Sequence, residues 1–589
     1  MQAKFENIIA KYEVKLEQDS KLFDKLGYVK IIAILVLVVC ITFLFVSGFA
    51  VLAALATAAF FVAAVGLWIW HYCVDNKVRY AKGIIAICNK HIDRVTGEWT
   101  KFADVGSEFI DFAHHYACDL DIVGAKSLFQ FLNTTHTWHG RQAFAGDLLQ
   151  PNYTIAEIEA RQKAIAELST DIDFANDMQY YLSEIGASPL DAELVTELTD
   201  STPLELNRFA KFLINFMPVM TVLLLAAGGI FQMTPLLWIG SLLLVAQMIL
   251  WYMAKGTVYK YLGIVDRLPY KLGKYVKVID ILTAQKFSSD KLNEIKSQLA
   301  VASEAVKALE SISSKLSFRS NPLVYIALNV LLLWDIHCAF LLERWKAKYS
   351  RLAGQWFTAI GEFESLIAFS HLPNVCGGVC LPQVSDGRKK LEATELGHPL
   401  LSNSSRVSND VQFDNNIFII SGSNMSGKTT FMRTVGVNLL LARAGSFVCA
   451  SEMVCSRFDI ITSMRIADDL NEGVSTFYAE LKRIKLILDM AKKNPNLIFL
   501  IDEIFKGTNS VDRLAGADAV ISKLQRLNAA GMVSTHDLEI CKLADLHDRI
   551  VNYSFCEHYQ DGQIHFDYVI RKGQSKTTNA RFLMEMVGI

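Results

Sequence analysis

The sequence Gly422-Ser-Asn-Met-Ser-Gly-Lys-Thr429 has the form G-x-x-x-x-G-K-[ST], which is that of a phosphate-binding loop. It follows the apolar run 417–420 and precedes the stretch 429–441, which has the pattern of a helix. A strand, a glycine-rich loop and a helix in this order place backbone N–H groups around a phosphate, where the helix dipole favours negative charge. The motif therefore predicts a nucleoside triphosphate site within an α/β domain.

Individual roles follow from the chemistry of the loop. We expect Lys428 to reach the β- and γ-phosphates of ATP and the Thr429 hydroxyl to bind Mg²⁺. The residues predicted to contact ATP are Gly422, Ser423, Asn424, Met425, Ser426, Gly427, Lys428, Thr429 and Thr430.

An acidic pair follows a second buried strand further along the chain. Residues 497–501 are a continuous apolar run, which is typical of a strand buried on both faces of a parallel sheet. Asp502 and Glu503 come directly after it. Asp502 is the expected second Mg²⁺ ligand, and Glu503 is the expected general base for the attacking water. This pattern predicts ATP hydrolysis.

Two further residues are candidate phosphate contacts. Ser475 precedes the helical run 478–488, and a hydroxyl residue at a helix N-terminus can bind a phosphate. His536 ends the strand-like segment 532–536 and could sense the γ-phosphate. Considered singly, each has a structural alternative, Ser475 as a helix N-cap and His536 as a loop residue.

Two charge-free stretches, 31–70 and 212–254, account for the high apolar content of 52%. A bilayer span needs about 20 apolar residues, so each stretch predicts a hairpin of two spans, or four transmembrane helices per chain. The run 323–333 is only eleven residues long and meets charged residues, which favours a buried soluble helix.

The cations that flank both hairpins determine the expected orientation. By the positive-inside rule they place the N-terminus, the middle segment and the C-terminus in the cytoplasm of a bacterial-type inner or plasma membrane. These cations are Lys21, Lys25, Lys30, Lys77, Arg79, Lys82, Arg208, Lys211, Lys255 and Lys260.

Charge and cysteine content constrain the partners. The net charge of −2 shows no overall basic excess, which lowers the expectation of nucleic-acid binding without removing it. The eleven cysteines are scattered, and one tight pair, Cys376 and Cys380, lacks further ligand residues. In a cytoplasmic protein we interpret them as ordinary reduced thiols.

Together these motifs resemble the MutS family of DNA mismatch-repair ATPases, whose ATPase domain is related to ABC-type ATPases. The resemblance covers roughly residues 390–589. Its carrying segments are Gly397-His-Pro-Leu400, Gly422–Arg433, Asp468-Asp-Leu470, Gly473, Ser475-Thr-Phe477, Asp502-Glu-Ile504, Gly507-Thr508, Ser510, Asp512, Ser534-Thr-His536 and the tail from Gly573 to Ile589.

A weaker resemblance to the helical core of this family begins at Asp119. The expected fold is mixed: two α-helical transmembrane hairpins, an α-helical core and lever domain, and a C-terminal α/β P-loop ATPase domain of the ABC type. The expected segments are a cytoplasmic N-terminus (1–30), hairpin 1 (31–70), core (71–211), hairpin 2 (212–254), lever and core return (255–385) and ATPase (386–589).

The chain also departs from the mismatch-repair pattern. We expect it to lack the mismatch-recognition domain, because a polar segment and a hairpin precede the core, and to lack a nuclease-like domain. Phe555-Cys-Glu557 matches the mismatch-wedging Phe-x-Glu element only by accident. The second hairpin occupies the position of the DNA clamp.

The resemblance implies a homodimer with two composite ATP sites. Lys428, Thr429, Asp502 and Glu503 would act within one copy, and Ser475 would approach the γ-phosphate held by the other, with the loop 508–512 at the seam. Arg406–Asn409 and Tyr568 are candidate adenine contacts.

The predicted function is that of a membrane-anchored MutS-like ATPase coupled to DNA binding and mismatch-repair-related DNA handling. The alternative is an ATP-driven mechanical or transport-like membrane machine with no DNA role. A nucleotide-gated scaffold without hydrolysis is disfavoured by the intact Glu503.

Overall fold

The computed structural model describes residues 1–188, 190–199, 208–266, 269–387, 389–465, 476–505, 510–560 and 563–575. In these ranges the helices are α1 (Gln2–Val46), α2 (Ala50–Thr96), α3 (Leu128–Leu132), α4 (Trp138–Leu149), α5 (Ile155–Thr170), α6 (Ile172–Ile185), α7 (Leu190–Thr199), α8 (Arg208–Ile230), α9 (Thr234–Asp266), α10 (Pro269–Ala284), α11 (Asp290–Gln298), α12 (Ala302–Leu316), α13 (Pro322–Leu332), α14 (Trp334–Ser370), α15 (Leu372–Val375), α16 (Lys428–Arg443), α17 (Thr476–Lys493), α18 (Ser510–Arg526) and α19 (Leu543–Leu546). The strands are β1 (Gln383–Ser385), β2 (Lys390–Leu396), β3 (Asn409–Asp414), β4 (Ile417–Ser421), β5 (Glu452–Ser456), β6 (Asp459–Ser463), β7 (Leu497–Ile501), β8 (Ala530–Thr535), β9 (Ile550–Gln560) and β10 (Gln563–Lys572).

Two helical hairpins contain the charge-free stretches. α1 and α2 meet at a tight turn in which Gly48 has a φ of +81°, and α8 and α9 meet at a turn in which Gln232 has a φ of +54°. Among the described residues, α1, α2, α8 and α9 are long and apolar enough to cross a membrane, by length and composition. Apolar side chains of these helices, such as Phe43 and Trp238, are exposed over long stretches.

Two of the hairpin helices, α2 and α9, continue without a break into the helical domain. α2 extends 26 residues beyond Trp70 to Thr96, which is roughly 39 Å at the usual helical rise. α9 likewise continues to Asp266. The apolar segments and the helical domain therefore share the same rigid elements.

The run 323–333 is helical as far as Leu332, but the prediction that this helix is buried is wrong. In α13 Leu323 is 80% exposed and Ile326 and Leu331 are also exposed, whereas Asn329 and, just beyond the helix, Leu333 are buried. α13 packs beside α8 and α9 and is bent by 75° from the helix that follows. A short apolar run identifies a buried helix only if another element covers it, and the described residues leave one side of α13 uncovered.

The helical domain is organised around α14, which packs against α4, α5, α7 and α12. Its Glu364 carboxylate is buried and accepts hydrogen bonds from the backbone N–H groups of His136, at 2.8 Å, and Thr137, at 3.2 Å. The helical domain contacts the α/β domain through Asp119, which accepts from the Thr462 hydroxyl at 2.6 Å and from the Arg465 backbone at 2.9 Å.

The α/β domain has a four-stranded sheet, β1-β5-β2-β3, and a six-stranded sheet, β10-β9-β4-β8-β7-β6. In the larger sheet the strands from β9 to β6 are parallel, and β10 pairs antiparallel with β9. The predicted strands at 417–420 and 497–501 are present as β4 and β7, and both are fully buried. β8 lies between them, so the carboxyl ends of three neighbouring strands meet at one edge.

Candidate nucleotide-binding site

The glycine-rich loop connects β4 to α16, as its sequence predicts. Gly422 has a φ of +150°, and a Cβ atom there would lie 2.9 Å from both the Phe555 carbonyl oxygen and Ser426 Oγ. Gly427 has a φ of +109°, and a Cβ atom there would approach the Tyr568 ring at 3.2 Å. Side chains at these positions would be strained, so glycine is needed to close the loop.

Lys428 begins α16 and directs its ammonium into the loop. Its Nζ donates to the carbonyl oxygens of Gly422, at 2.8 Å, and Ser423, at 2.7 Å. Burial lowers the pKa of Lys428 to about 8, although the carboxylates of Asp502, Glu503 and Glu557 act in the opposite direction. The loop therefore holds a mostly buried cation at the place where phosphate oxygens would bind.

Thr429, in the first turn of α16, meets Asp502, which directly follows β7. The Thr429 hydroxyl donates to Asp502 Oδ2 at 2.7 Å. Ser534, on the intervening strand β8, donates to the other carboxylate oxygen of Asp502 and accepts from the Glu503 backbone N–H at 3.0 Å. A hydroxyl and a carboxylate held together offer the oxygen ligands that Mg²⁺ prefers.

Glu503 and His536 form a second pair at the same edge. The Nε2 atom of His536 lies 2.6 Å from Glu503 Oε1, and its Nδ1 atom lies 2.9 Å from the Gly422 carbonyl oxygen. Glu503 has a φ of +50°, in the left-handed region that is uncommon for a residue with a side chain. Such strain is concentrated at functional sites.

A cavity of about 590 Å³ opens beside the loop. Its walls include loop residues 424–430, Glu503, His398, Val407, Asn409 and Tyr568. Tyr568 lies at an irregularity of the β9–β10 pairing, where its carbonyl oxygen accepts from the Asn409 amide at 3.0 Å. The volume lies within the range of small-molecule sites.

Three residues of this site had been given no role from the sequence. Ser534 joins Asp502 to Glu503, and His398 lines the cavity with its pKa lowered to about 4 by burial. Glu557 accepts from the Ser423 hydroxyl at 3.0 Å. Ser534 and His398 stand in the quoted Ser-Thr-His and His-Pro segments, whereas no local pattern indicates that Glu557 lies beside the loop.

Among the candidate adenine contacts, the Arg406 side chain does not line the cavity. Val407 and Asn409 line the cavity, but the Arg406 guanidinium contacts the sulfur atoms of Cys376 and Cys449. The expectation for Arg406 is therefore wrong, because its side chain extends away from the cavity that its neighbours line.

Part of the predicted constellation lies outside the described residues. This applies to Ser475, to Asp468–Leu470 and Gly473, to Gly507 and Thr508, and to the tail from residue 576 onward.

The residues that are present fit a magnesium–nucleoside triphosphate. The buried Ser426 hydroxyl has no hydrogen-bond partner within the described residues, and it lies in the loop that would surround the phosphates. The glycine positions leave room for close approach, and Thr429 and Asp502 supply oxygen ligands. We expect Lys428 to offset the phosphate charge.

Two known protein families match parts of this chain, and one of the two matches includes this site. The family described as MutS domain V matches residues 418–587, and the family described as MutS domain III matches residues 117–227. These matches support a MutS-family protein.

Several similar curated proteins are described as DNA mismatch repair protein MutS. The protein of Shouchella clausii is 30% identical over 42% of this chain and 28% of its own length. That of Thermus aquaticus is 33% identical over 36% of this chain and 26% of its own length. The protein of Protochlamydia amoebophila is 26% identical over 56% of this chain and 36% of its own. The chain thus spans about a quarter to a third of the curated relatives it matches.

Proposed function

We propose that this chain is a membrane-anchored ATPase of the MutS family, which binds and hydrolyses ATP at composite sites formed by two copies and couples turnover to DNA handling. The observation that carries the proposal is the convergence of Lys428, Thr429, Asp502, Glu503 and His536 at one edge of the larger sheet.

The roles follow from this geometry. Lys428 binds phosphate oxygens in place of the loop carbonyls that it now contacts. Thr429 and Asp502 hold Mg²⁺, which supplies charge neutralisation to the phosphates when it is bound. Glu503 accepts the proton of the attacking water, and His536 holds Glu503 in position.

Dimerisation is proposed from the exposure of the loop and from the family. Asn424 and Met425 are exposed, with Met425 at 83%, so the outer side of the loop is open to a second copy. The partner's contribution is expected to include its Ser475, as in the family resemblance. ATP would then close the two copies, and the change would reach the helical domain through contacts such as Asp119–Thr462.

The membrane proposal rests on exposed apolar surface. α1, α2, α8 and α9 carry long apolar segments that the rest of the described chain does not cover. Soluble proteins rarely expose contiguous apolar areas of this kind. The proposed location is a bacterial-type inner or plasma membrane, with the N-terminus, the helical domain and the ATPase domain in the cytoplasm.

Two couplings compete for the use of ATP. Similarity to proteins described as DNA mismatch repair protein MutS supports DNA handling. The unbroken passage of α2 and α9 from the apolar segments into the helical domain supports the second candidate, a mechanical or transport-like membrane machine without DNA.

ATP turnover of the detergent-solubilised protein, with and without duplex, branched and mismatched DNA at low salt, distinguishes these candidates. DNA handling requires binding that weakens with salt and a change in turnover. Turnover without any response to DNA favours the membrane machine. Lys428→Ala should be inactive, whereas the control Lys492→Ala, at an exposed lysine of α17, should behave as the wild type. The ATPase proposal fails if the wild type and both variants are inactive and the control binds no ATP.

The composite site is tested separately with Glu503→Gln. Removing the base should leave ATP bound but unhydrolysed, so the variant should accumulate as an ATP-dependent dimer in light scattering. A Glu503→Gln variant that binds ATP and stays monomeric at all concentrations contradicts the dimer proposal.

A further inference from the structure

Two cysteines far apart in sequence lie against one arginine at the junction of the helical and α/β domains. Cys376 Sγ and Cys449 Sγ are 3.4 Å apart, and Arg406 Nη1 donates to them at 3.0 and 2.8 Å. Both cysteines are buried. Cys380, the sequence neighbour of Cys376, pairs instead with Val448 through the backbone.

A glycine allows the arginine to reach the sulfur atoms. A Cβ atom at Gly397 would lie 2.6 Å from Arg406 Cδ and 2.8 Å from its Nε. Any larger residue at position 397 would therefore obstruct the path of the arginine side chain. The contact therefore depends on four particular residues of this junction, Gly397, Arg406 and the two cysteines.

The surroundings make the two sulfur atoms chemically unequal. The hydrogen bond from Cys449 and the charge of Arg406 lower the pKa of Cys376 below its ordinary value, against the effect of burial. Hydrogen bonding to Cys376 and burial raise the pKa of Cys449. At Cys455, burial and the neighbouring Cys380 raise the pKa to about 12. Cys376 is thus the more readily ionised thiol of the pair, and thiolates are the reactive form of cysteine.

We propose that Cys376 is a peroxide-reactive thiol that forms a disulfide with Cys449, and that this bond weakens nucleotide binding through Arg406. The effect on nucleotide binding rests on the proposed ATP site, whereas the thiol chemistry does not.

The chemistry balances with hydrogen peroxide as the oxidant. The Cys376 thiolate attacks one peroxide oxygen, so that an S–O bond forms, the O–O bond breaks and hydroxide leaves as water after protonation. Cys449 then attacks the Cys376 sulfur, so that the S–S bond forms, the S–O bond breaks and a second water leaves. Two thiols lose two electrons, and one peroxide becomes two waters.

A cavity beside Cys376 has room for peroxide. Cys376 lines a small cavity of about 120 Å³, together with Trp99, Leu400 and Asn403. This volume is large enough for a molecule only slightly bigger than water.

The position of the pair explains the proposed effect. Cys376 follows α15 at the end of the helical domain, and the Cys449 backbone N–H donates to Asn438 of the loop helix α16 at 2.7 Å. Ser405 and Val407, on either side of Arg406, line the nucleotide cavity. A disulfide would join the helical domain to the segment beside α16 and would remove the anionic partner of Arg406.

The test uses the full-length protein in detergent, treated with limiting hydrogen peroxide and mapped by mass spectrometry. We expect a Cys376–Cys449 disulfide before oxidation of the partly exposed Cys118 and Cys556. We also expect at least threefold weaker binding of a fluorescent, non-hydrolysable ATP analogue, restored by dithiothreitol.

Matched variants complete the test. Cys376→Ser and Cys449→Ser should each abolish the disulfide and the peroxide effect, whereas Cys455→Ser should behave as the wild type. Earlier oxidation of other thiols, with no Cys376–Cys449 link, overturns the proposal. A link that leaves nucleotide affinity unchanged overturns its second half. Reduced wild type that binds no nucleotide overturns the proposed function instead, and the mapping still decides the thiol chemistry.

Discussion

The His536 ring connects Glu503 to the glycine-rich loop, with Nε2 at 2.6 Å from Glu503 Oε1 and Nδ1 at 2.9 Å from the Gly422 carbonyl oxygen. A carbonyl oxygen only accepts hydrogen bonds, so the ring donates to the loop through Nδ1. The ring thereby fixes the Glu503 carboxylate relative to the glycine-rich loop.

Replacing His536 by Ala should slow ATP hydrolysis without weakening nucleotide binding. We expect kcat for ATP to fall by about 10- to 100-fold, within the range of contributions from general acid–base groups, with little change in the affinity for an ATP analogue. Steady-state kinetics and equilibrium binding check this. If the two residues act as a unit, His536→Ala should cost little further activity in a Glu503→Gln background; additive losses would contradict the coupling.

Removing the Asp502 carboxylate should impair the metal site specifically. For Asp502→Asn we expect a loss of Mg²⁺-dependent turnover of about 100-fold or more, because the amide cannot supply the charge that balances the cation. Mg²⁺ titrations at saturating ATP are the measurement, and EDTA should abolish wild-type turnover. Asp489→Asn, at an exposed position of α17, is the matched control. An unchanged Mg²⁺ requirement in Asp502→Asn would exclude the assigned role.

The lowered pKa of Lys428 predicts an alkaline limit to catalysis. Burial brings this pKa to about 8, so the ammonium is present below pH 8 and is lost above it. We expect kcat/KM for ATP, which reports the free enzyme, to fall about tenfold per pH unit above this value. Lys428→Arg keeps its charge, so its residual activity should lack this decline. The same decline in that variant would assign it to another group.

Buried Glu364 should make stability fall as pH rises. Burial raises its pKa from 4.5 to about 7, although hydrogen bonds from Thr137 and His136 oppose the shift. The folded state then binds more protons than the unfolded state between about pH 4.5 and 7. Its contribution to stability is present at low pH and is lost as pH rises through this window. We expect Glu364→Gln to raise the thermal midpoint at pH 7.5 more than at pH 5.5; an equal shift at both values would contradict this assignment.

The proposed topology can be tested by labelling intact cells with a membrane-impermeant maleimide. Ser47→Cys lies at the turn between α1 and α2, and Thr234→Cys at the start of α9, so both should be labelled from outside. Ser107→Cys, exposed in the helical domain, should be labelled only after lysis. Labelling of Ser107→Cys in intact cells would contradict the proposed orientation.

Much of the site could be predicted from local sequence. The loop 422–429, the strand before it and the strand before Asp502 are recognisable because each combines apolar burial with a phosphate or metal chemistry that tolerates few residue types. Residues that act through distant contacts could not be found in this way. Glu557 reaches Ser423 from 134 positions away, and Cys449 reaches Cys376 from 73 positions away.

The sequence by itself determined the glycine-rich loop, the acidic pair after β7 and the charge-free stretches, because each depends on the order of neighbouring residues. The tertiary structure decided what local order does not contain. It inserted β8 between β4 and β7, so that Ser534 joins Asp502 to Glu503. It also left α13 uncovered and turned Arg406 toward two sulfur atoms. Those outcomes depend on which elements pack together, and packing is a property of the whole chain.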